Sequence, residues 1–201
     1  MSAIKLDKED ALLVIDMQYD FLPGGSLGVP NGHEVLAPIN RLLALYGEQR
    51  LPVFASRDWH PANHCSFAAQ GGPWPPHCVA GTEGAEFSRE LAFPDNVIVI
   101  SKADTAAVDA YSAFNGTTLA RQLRERGITR VAVCGLATDY CVLSTVTDAL
   151  EEGFDTLIVP EAMRAVDVHP GDGTRALDRM VARGAIAVRL GEHGMTALSV
   201  S

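Results

Sequence analysis

The run Ala11-Leu12-Leu13-Val14-Ile15, closed by Asp16, decides the fold. Consecutive apolar residues leave no polar face, so a strand here needs cover on both sides, the condition of a parallel sheet between helices. Runs of the same kind follow at Pro52–Ser56, Val97–Ser101, Arg130–Cys134, Thr156–Val159 and Ala185–Val188. Segments of helical period lie between them. Val35, Leu36, Ile39, Leu42, Leu43 and Tyr46 share one helical face, behind Asn31-Gly32-His33-Glu34, which has the form of a capping box. Further helices are predicted over about Thr118–Arg126, stopped by Gly127, and from Thr138 to Glu152, with Val142, Val146, Ala149 and Leu150 inward. A fourth covers about Asp172–Arg183 and ends at Gly184. The alternation predicts an α/β chain, a mostly parallel sheet sandwiched by helices, in one domain over residues 1–201.

Composition narrows the class. With 47% apolar and 20% charged residues in 201, the chain can bury a large core without staples. Its 16 basic against 25 acidic side chains give −9, which argues against a nucleic-acid partner. The longest aliphatic run falls far short of the ~20 residues of a membrane span. The acidic Lys5-Leu6-Asp7-Lys8-Glu9-Asp10 before it does not suit a signal peptide. Cys65, Cys78, Cys134 and Cys141 are too few for a disulfide scaffold and show no C-x-x-C spacing, so a reducing, cytoplasmic setting is expected.

Two long connections carry the chemistry. Residues 57–95 are rich in proline and glycine, with at most a short helix near Glu83–Leu91, and residues 102–116 are also irregular. Long loops in compact domains are usually functional or disordered, and both tryptophans and half of the six histidines make a poor composition for disorder. In open α/β sheets ligands sit at the carboxyl ends of the strands. There the chain places Asp16, Asp58, Lys102 and, past Cys134-Gly135, Cys141. Cys141, in the first turn of the helix that starts near Thr138, is the candidate nucleophile; the helix dipole and a nearby Lys102 ammonium favour its thiolate. A small buried core residue is the bland alternative, and it is the reading for Cys134 inside its strand. Asp16 is a candidate proton shuttle, against a turn acid.

Asp58 and His60 project to one face of an extended segment, with His64 and His77 close in sequence. Carboxylate and imidazole suit Zn²⁺, Mn²⁺ or Fe²⁺. His33, His169 and His193 read as surface or helix-end residues. The glycine-rich Phe21-Leu22-Pro23-Gly24-Gly25-Ser26-Leu27 lacks the lysine of a P-loop and reads as a turn that brings Phe21 over the strand edge.

These residues resemble a known family. The segments Val14-Ile15-Asp16-Met17-Gln18-Tyr19-Asp20-Phe21, Arg57-Asp58-Trp59-His60-Pro61-Ala62-Asn63-His64, Trp74-Pro75-Pro76-His77-Cys78-Val79, Lys102, Asp109-Ala110-Tyr111-Ser112-Ala113-Phe114 and Gly135-Leu136-Ala137-Thr138-Asp139-Tyr140-Cys141-Val142 are similar, in order, to the nicotinamidase branch of the isochorismatase-like cysteine hydrolases. The resemblance implies a three-layer αβα sandwich of Rossmann-type topology. It implies a triad of Asp16, Lys102 and Cys141, and an oxyanion hole from the backbone N–H groups of Ala137 and Cys141 beside a cis peptide at Ala137. Substrate would be held by Phe21, Trp74, Tyr111 and Leu136. One divalent metal, zinc first, would be held by Asp58, His60 and His77, with His64 a fourth or outer ligand. The partner implied is a small amide, with a homo-oligomer open. Ala103-Asp104 follows Lys102 where the family often has glycine. Another small-amide or carbamoyl hydrolase with the same triad is the alternative; a non-catalytic binding module would leave the triad without reason to converge.

Overall fold

In the computed structural model, which describes residues 3–191 and 194–198, the core is an eight-stranded sheet. The strands are β1 (Ala3–Ile4), β2 (Asp10–Ile15), β3 (Val53–Asp58), β4 (Ile98–Lys102), β5 (Arg130–Leu136), β6 (Asp155–Arg164), β7 (Ile186–Leu190) and β8 (Met195–Ala197). Their order is β1-β8-β7-β6-β5-β2-β3-β4. The six strands from β4 to β7 are parallel, and β8 and β1 add an antiparallel edge that the hydrophobic runs did not announce. Those two strands are short and half covered, so they carry little apolar signal.

The helices are α1 (Leu36–Glu48), α2 (Leu119–Glu125), α3 (Leu143–Glu151) and α4 (Asp172–Ala182). The alternation along β2 separates the two cores. Leu12 and Val14 pack with Ile39, Leu42, Leu43 and Tyr46 of α1. Ala11, Leu13 and Ile15 face the other way, toward Leu123 of α2, Val146 of α3 and Met180 of α4. The result is three layers, as expected of a strand with no polar face. No described helix is long and apolar enough to cross a membrane.

Two local expectations fail, at Asn31 and after Thr138, while Glu83–Leu91 holds no more than the short turn allowed for it. Asn31 has φ +56° and makes no capping bond, because a short 3-10 turn, Gly32–Val35, precedes α1. Residues Glu83–Leu91 hold only the 3-10 turn Glu83–Ala85. The segment after Thr138 opens as a wide π turn, Thr138–Val142, and regular α-helix begins at Leu143. The Ala137 carbonyl accepts both the Tyr140 and the Val142 N–H, each at 3.1 Å, which widens that turn. His33 and His169 are exposed, and His193 lies outside the described residues.

The order of strands reverses direction between β2 and β5, where an α/β sheet opens its crevice. On its other side β5 shifts register against β6, between Val133 and Gly135. Gly135 has φ +116°, and a Cβ on it would lie 2.2 Å from the Ile15 carbonyl oxygen. Only glycine lets β5 press against β2 at this point.

Candidate active site

Asp16 follows the last residue of β2 with φ +50°, a left-handed conformation that turns its carboxylate back under the crevice. Ser56 Oγ on β3 donates to Asp16 Oδ1 at 2.7 Å. Lys102, the last residue of β4, reaches beneath β3 and lies with Nζ 3.0 Å from Asp16 Oδ2. Its N–H groups are directed at Asp58 Oδ1, at the Ala110 carbonyl (3.2 Å) and at Cys141 Sγ (3.6 Å). Asp16 is fully buried, with the Lys102 ammonium beside Oδ2 and the Cys141 thiol against the same carboxylate. The parallel register explains the meeting: Asp58 pairs with Lys102, and β2 ends beside β3 and β5.

The electrostatics of the group differ from a simple activated thiolate. Burial pushes the Cys141 thiol well above its ordinary value; Lys102 opposes this, and the nearby carboxylates reinforce it. Burial also raises Asp16, again against Lys102 and with Asp58. Lys102 is held protonated because Asp16, Asp58 and Cys141 together outweigh the burial that would lower it. Asp58 is kept below the usual carboxylate range: burial would raise it, but Lys102 and His60 win. Burial thus works against the thiolate that the helix terminus and Lys102 were expected to favour. The thiol proton has a raised carboxylate, Asp16, to go to.

Asp58, His60 and His77 bring one potential ligand atom each to within 4.8 Å of one another. His60 Nδ1 faces the Ala103 carbonyl at 3.0 Å and His77 Nδ1 faces the Pro75 carbonyl at 2.8 Å. These contacts place the ring proton on Nδ1 and leave both Nε2 lone pairs toward Asp58 Oδ2, at 3.4 and 3.9 Å. A carbonyl behind each imidazole is the usual support of a metal-bound histidine. Burial lowers the pKa of His77, which keeps it neutral as a ligand must be. The donor set fits a divalent ion. His64 is not part of the trio: its ring nitrogens face Ser66 Oγ at 2.8 Å and the Val108 carbonyl at 3.0 Å, and its ring stacks on His60 at 4.1 Å. Ala103 takes φ +50° without being glycine, and its carbonyl is the one that supports His60.

Above these groups opens a cavity of about 290 Å³. Phe21, Trp74, Tyr111, Leu136, Ala137, Cys141, Asp58 and His77 line it. Ser26 to Val29, Tyr140 and Val166 line it as well, and sequence reasoning passed them over. Tyr140 sits beside the nucleophile candidate and could have been suspected; nothing in the sequence ties Val166 to the site. Trp74 Nε1 donates to Tyr111 Oη at 3.0 Å, joining the two long loops. The Leu136–Ala137 peptide is cis.

This is the cleft of an α/β hydrolytic enzyme with a buried cysteine, lysine and carboxylate. Residues 10–192 match the isochorismatase domain, and the chain belongs to that family. It is 39% identical to a nicotinamidase of Escherichia coli over 203 aligned positions, 90% of this chain and 95% of the relative. Among solved structures, the pyrazinamidase of Pyrococcus horikoshii in complex with zinc superposes with a TM-score of 0.87 at 45% identity, covering 90% of this chain and 99% of that one. PnC1 of L. infantum in complex with nicotinate gives 0.85 at 37%, covering 94% and 96%.

Proposed function

We propose that the protein is a nicotinamidase: it hydrolyses nicotinamide to nicotinate and ammonia, and pyrazinamide likewise, through a thioester on Cys141, in the salvage of NAD. The observation that carries this reading is the Lys102 ammonium, 3.0 Å from Asp16 Oδ2 and 3.6 Å from Cys141 Sγ beneath a small, largely apolar cavity. The relatives named above support the substrate.

Asp16 accepts the thiol proton as the sulfur attacks the carboxamide carbon. The carbonyl electron pair moves to oxygen, where the N–H groups of Ala137 and Cys141 hold it; each such donor is worth about 3 kcal/mol. Asp16 returns the proton to the leaving nitrogen, and ammonia departs as the thioester forms. Water then loses a proton to Asp16, attacks the thioester carbon, and releases nicotinate and the thiol. Lys102 supplies fixed positive charge to this exchange and is never covalently joined. Phe21, Trp74, Tyr111 and Leu136 set the plane of the ring.

Asp58, His60 and His77 would hold one divalent ion, zinc first, which when bound offers a Lewis-acid ligand position for a heteroaromatic ring nitrogen. Ammonia release from nicotinamide, pyrazinamide and benzamide tests the whole reading. The two rings with nitrogen are expected to be good substrates, benzamide a poor one, and His77→Ala to erase that preference. An ion that only ties the loop down predicts an unchanged pyrazinamide-to-benzamide ratio in His77→Ala. Equal hydrolysis of both by the wild type refutes orientation through the ring nitrogen.

A further inference from the structure

Gln18 is completely buried two residues beyond Asp16, where β2 has ended. Its side-chain amide continues the ladder that the backbone no longer makes. Oε1 accepts the Asp58 N–H at 2.8 Å, while Nε2 donates to the Asp58 carbonyl at 2.7 Å and to the Ala85 carbonyl at 2.9 Å. A carboxamide has donor and acceptor side by side, so it can close on both polar groups of one backbone residue as a neighbouring strand would. The partners fix its orientation, since an N–H must meet oxygen and two carbonyls must meet the NH₂ end.

Asp20 does the corresponding work two residues later. Its Oδ2 accepts the N–H of Cys78, the residue after His77, at 2.7 Å. Cys78 has φ +45°, so the chain leaving His77 is held in a conformation it would not choose alone. The other side of Asp20 holds the cavity loop: Oδ1 accepts the Ser26 N–H at 3.3 Å and the main-chain oxygen accepts the Leu27 N–H at 2.9 Å. Gly84 leaves room for this carboxylate, because a Cβ there would lie 2.2 Å from Asp20 Oδ2.

We propose that Gln18 and Asp20 are positioning residues for the metal ligands, Gln18 fixing Asp58 and Asp20 fixing His77. One short segment thereby carries Asp16 and also sets the geometry of the ion site. The inference rests on the reading of Asp58, His60 and His77 as that site. Each residue acts through the backbone of, or next to, a ligand, and outer partners of this kind typically govern metal affinity by about 10–100-fold.

Zinc affinity of the full chain, measured by competition with a chromogenic chelator, tests it, with a thermal melt of the metal-free protein as the fold control. Gln18→Met, similar in size but without polar ends, and Asp20→Ala are expected to weaken zinc binding about 10–100-fold. Asp20→Asn, which keeps an acceptor for Cys78, is expected to recover most of the loss. Leu123→Ala, a buried change on α2, is expected to lower the melting temperature and leave zinc affinity alone. Should Gln18→Met fail to fold, the Asp20 pair decides. Wild-type affinity in both Gln18→Met and Asp20→Ala overturns the proposal, as does an equal loss in Leu123→Ala, and so does Asp20→Asn binding as weakly as Asp20→Ala. Ammonia release from nicotinamide is scored separately: a wild type that hydrolyses it while zinc affinity ignores Gln18 and Asp20 refutes the positioning role alone. A wild type that binds no zinc refutes the metal site itself.

Discussion

β2 begins on one buried aspartate, Asp10, and is followed directly by another, Asp16, and the two are treated in opposite ways. Asp10 is closed off: Arg130 meets it with Nε at 2.5 Å and Nη2 at 2.8 Å, and the Asp7 N–H adds a third bond at 2.7 Å. Arg130 also donates to the Lys5 carbonyl, and its side chain reaches solvent. Asp16 has Ser56 on Oδ1, the Lys102 ammonium beside Oδ2 and the Cys141 thiol within reach. Asp10 sits in an ordinary strand; Asp16 is held at φ +50°. A carboxylate held by a guanidinium and a backbone N–H, far from any reacting group, can only stabilise. One buried beside a thiol can take and give a proton.

The sharpest way to break the comparison is to neutralise both acids. Asp16→Asn is expected to lower kcat by about 10²–10⁴-fold, the usual worth of a positioned acid-base group, with the fold retained. Asp10→Ala is expected to do the reverse. It leaves Arg130 unpaired and costs about 2–3 kcal/mol in urea unfolding, less than the 3–5 of a fully buried pair because Arg130 touches water. Its kcat, per folded molecule, should be that of the wild type. Activity lost with Asp10, or spared without Asp16, would erase the distinction.

Lys102→Met sharpens it at the next level. Lys102 lowers the Cys141 pKa against burial, so removing the charge is expected to move the pH profile of Cys141 alkylation by iodoacetamide upward. An unmoved profile would make Lys102 a partner of the carboxylates only.

The smallest effect separates Cys141 from the thiol that packs within β5. Burial raises the Cys134 pKa, so in the folded state it stays neutral where the unfolded chain ionises. Its contribution is complete below the unfolded value near ~8.5 and is lost as pH rises above it, at about 1.4 kcal/mol per pH unit. Cys134→Ala is therefore expected to flatten the decline of stability between about pH 9 and 10 by that slope, with activity at neutral pH retained. Urea unfolding across that range measures it.

Much of this was legible in the chain. The continuous apolar runs located the six parallel strands because a strand buried on both faces has no alternative composition. Asp16, Asp58, Lys102 and Cys141 were found as polar punctuation at strand ends, and His60 and His77 as histidines crowded into one loop. The edge strands β1 and β8, the π turn at Thr138–Val142 and the cavity-lining Val166 were not legible, because each depends on what lies against it rather than on its own pattern. His64 shows the same limit. Its spacing from His60 suits a shared ion, yet Ser66 and Val108 take up its nitrogens.

The sequence by itself determined the layers, the six parallel strands and the residue types available at one sheet edge, since burial on two faces and proton chemistry both constrain composition directly. The tertiary structure decided which partner each of those groups meets. Whether Asp16 is a shuttle or a second Asp10, and whether a histidine offers its nitrogen to an ion or to a carbonyl, turns on partners drawn from distant segments. Hydrogen bonds are satisfied one atom at a time, and no local pattern records which atom is left over.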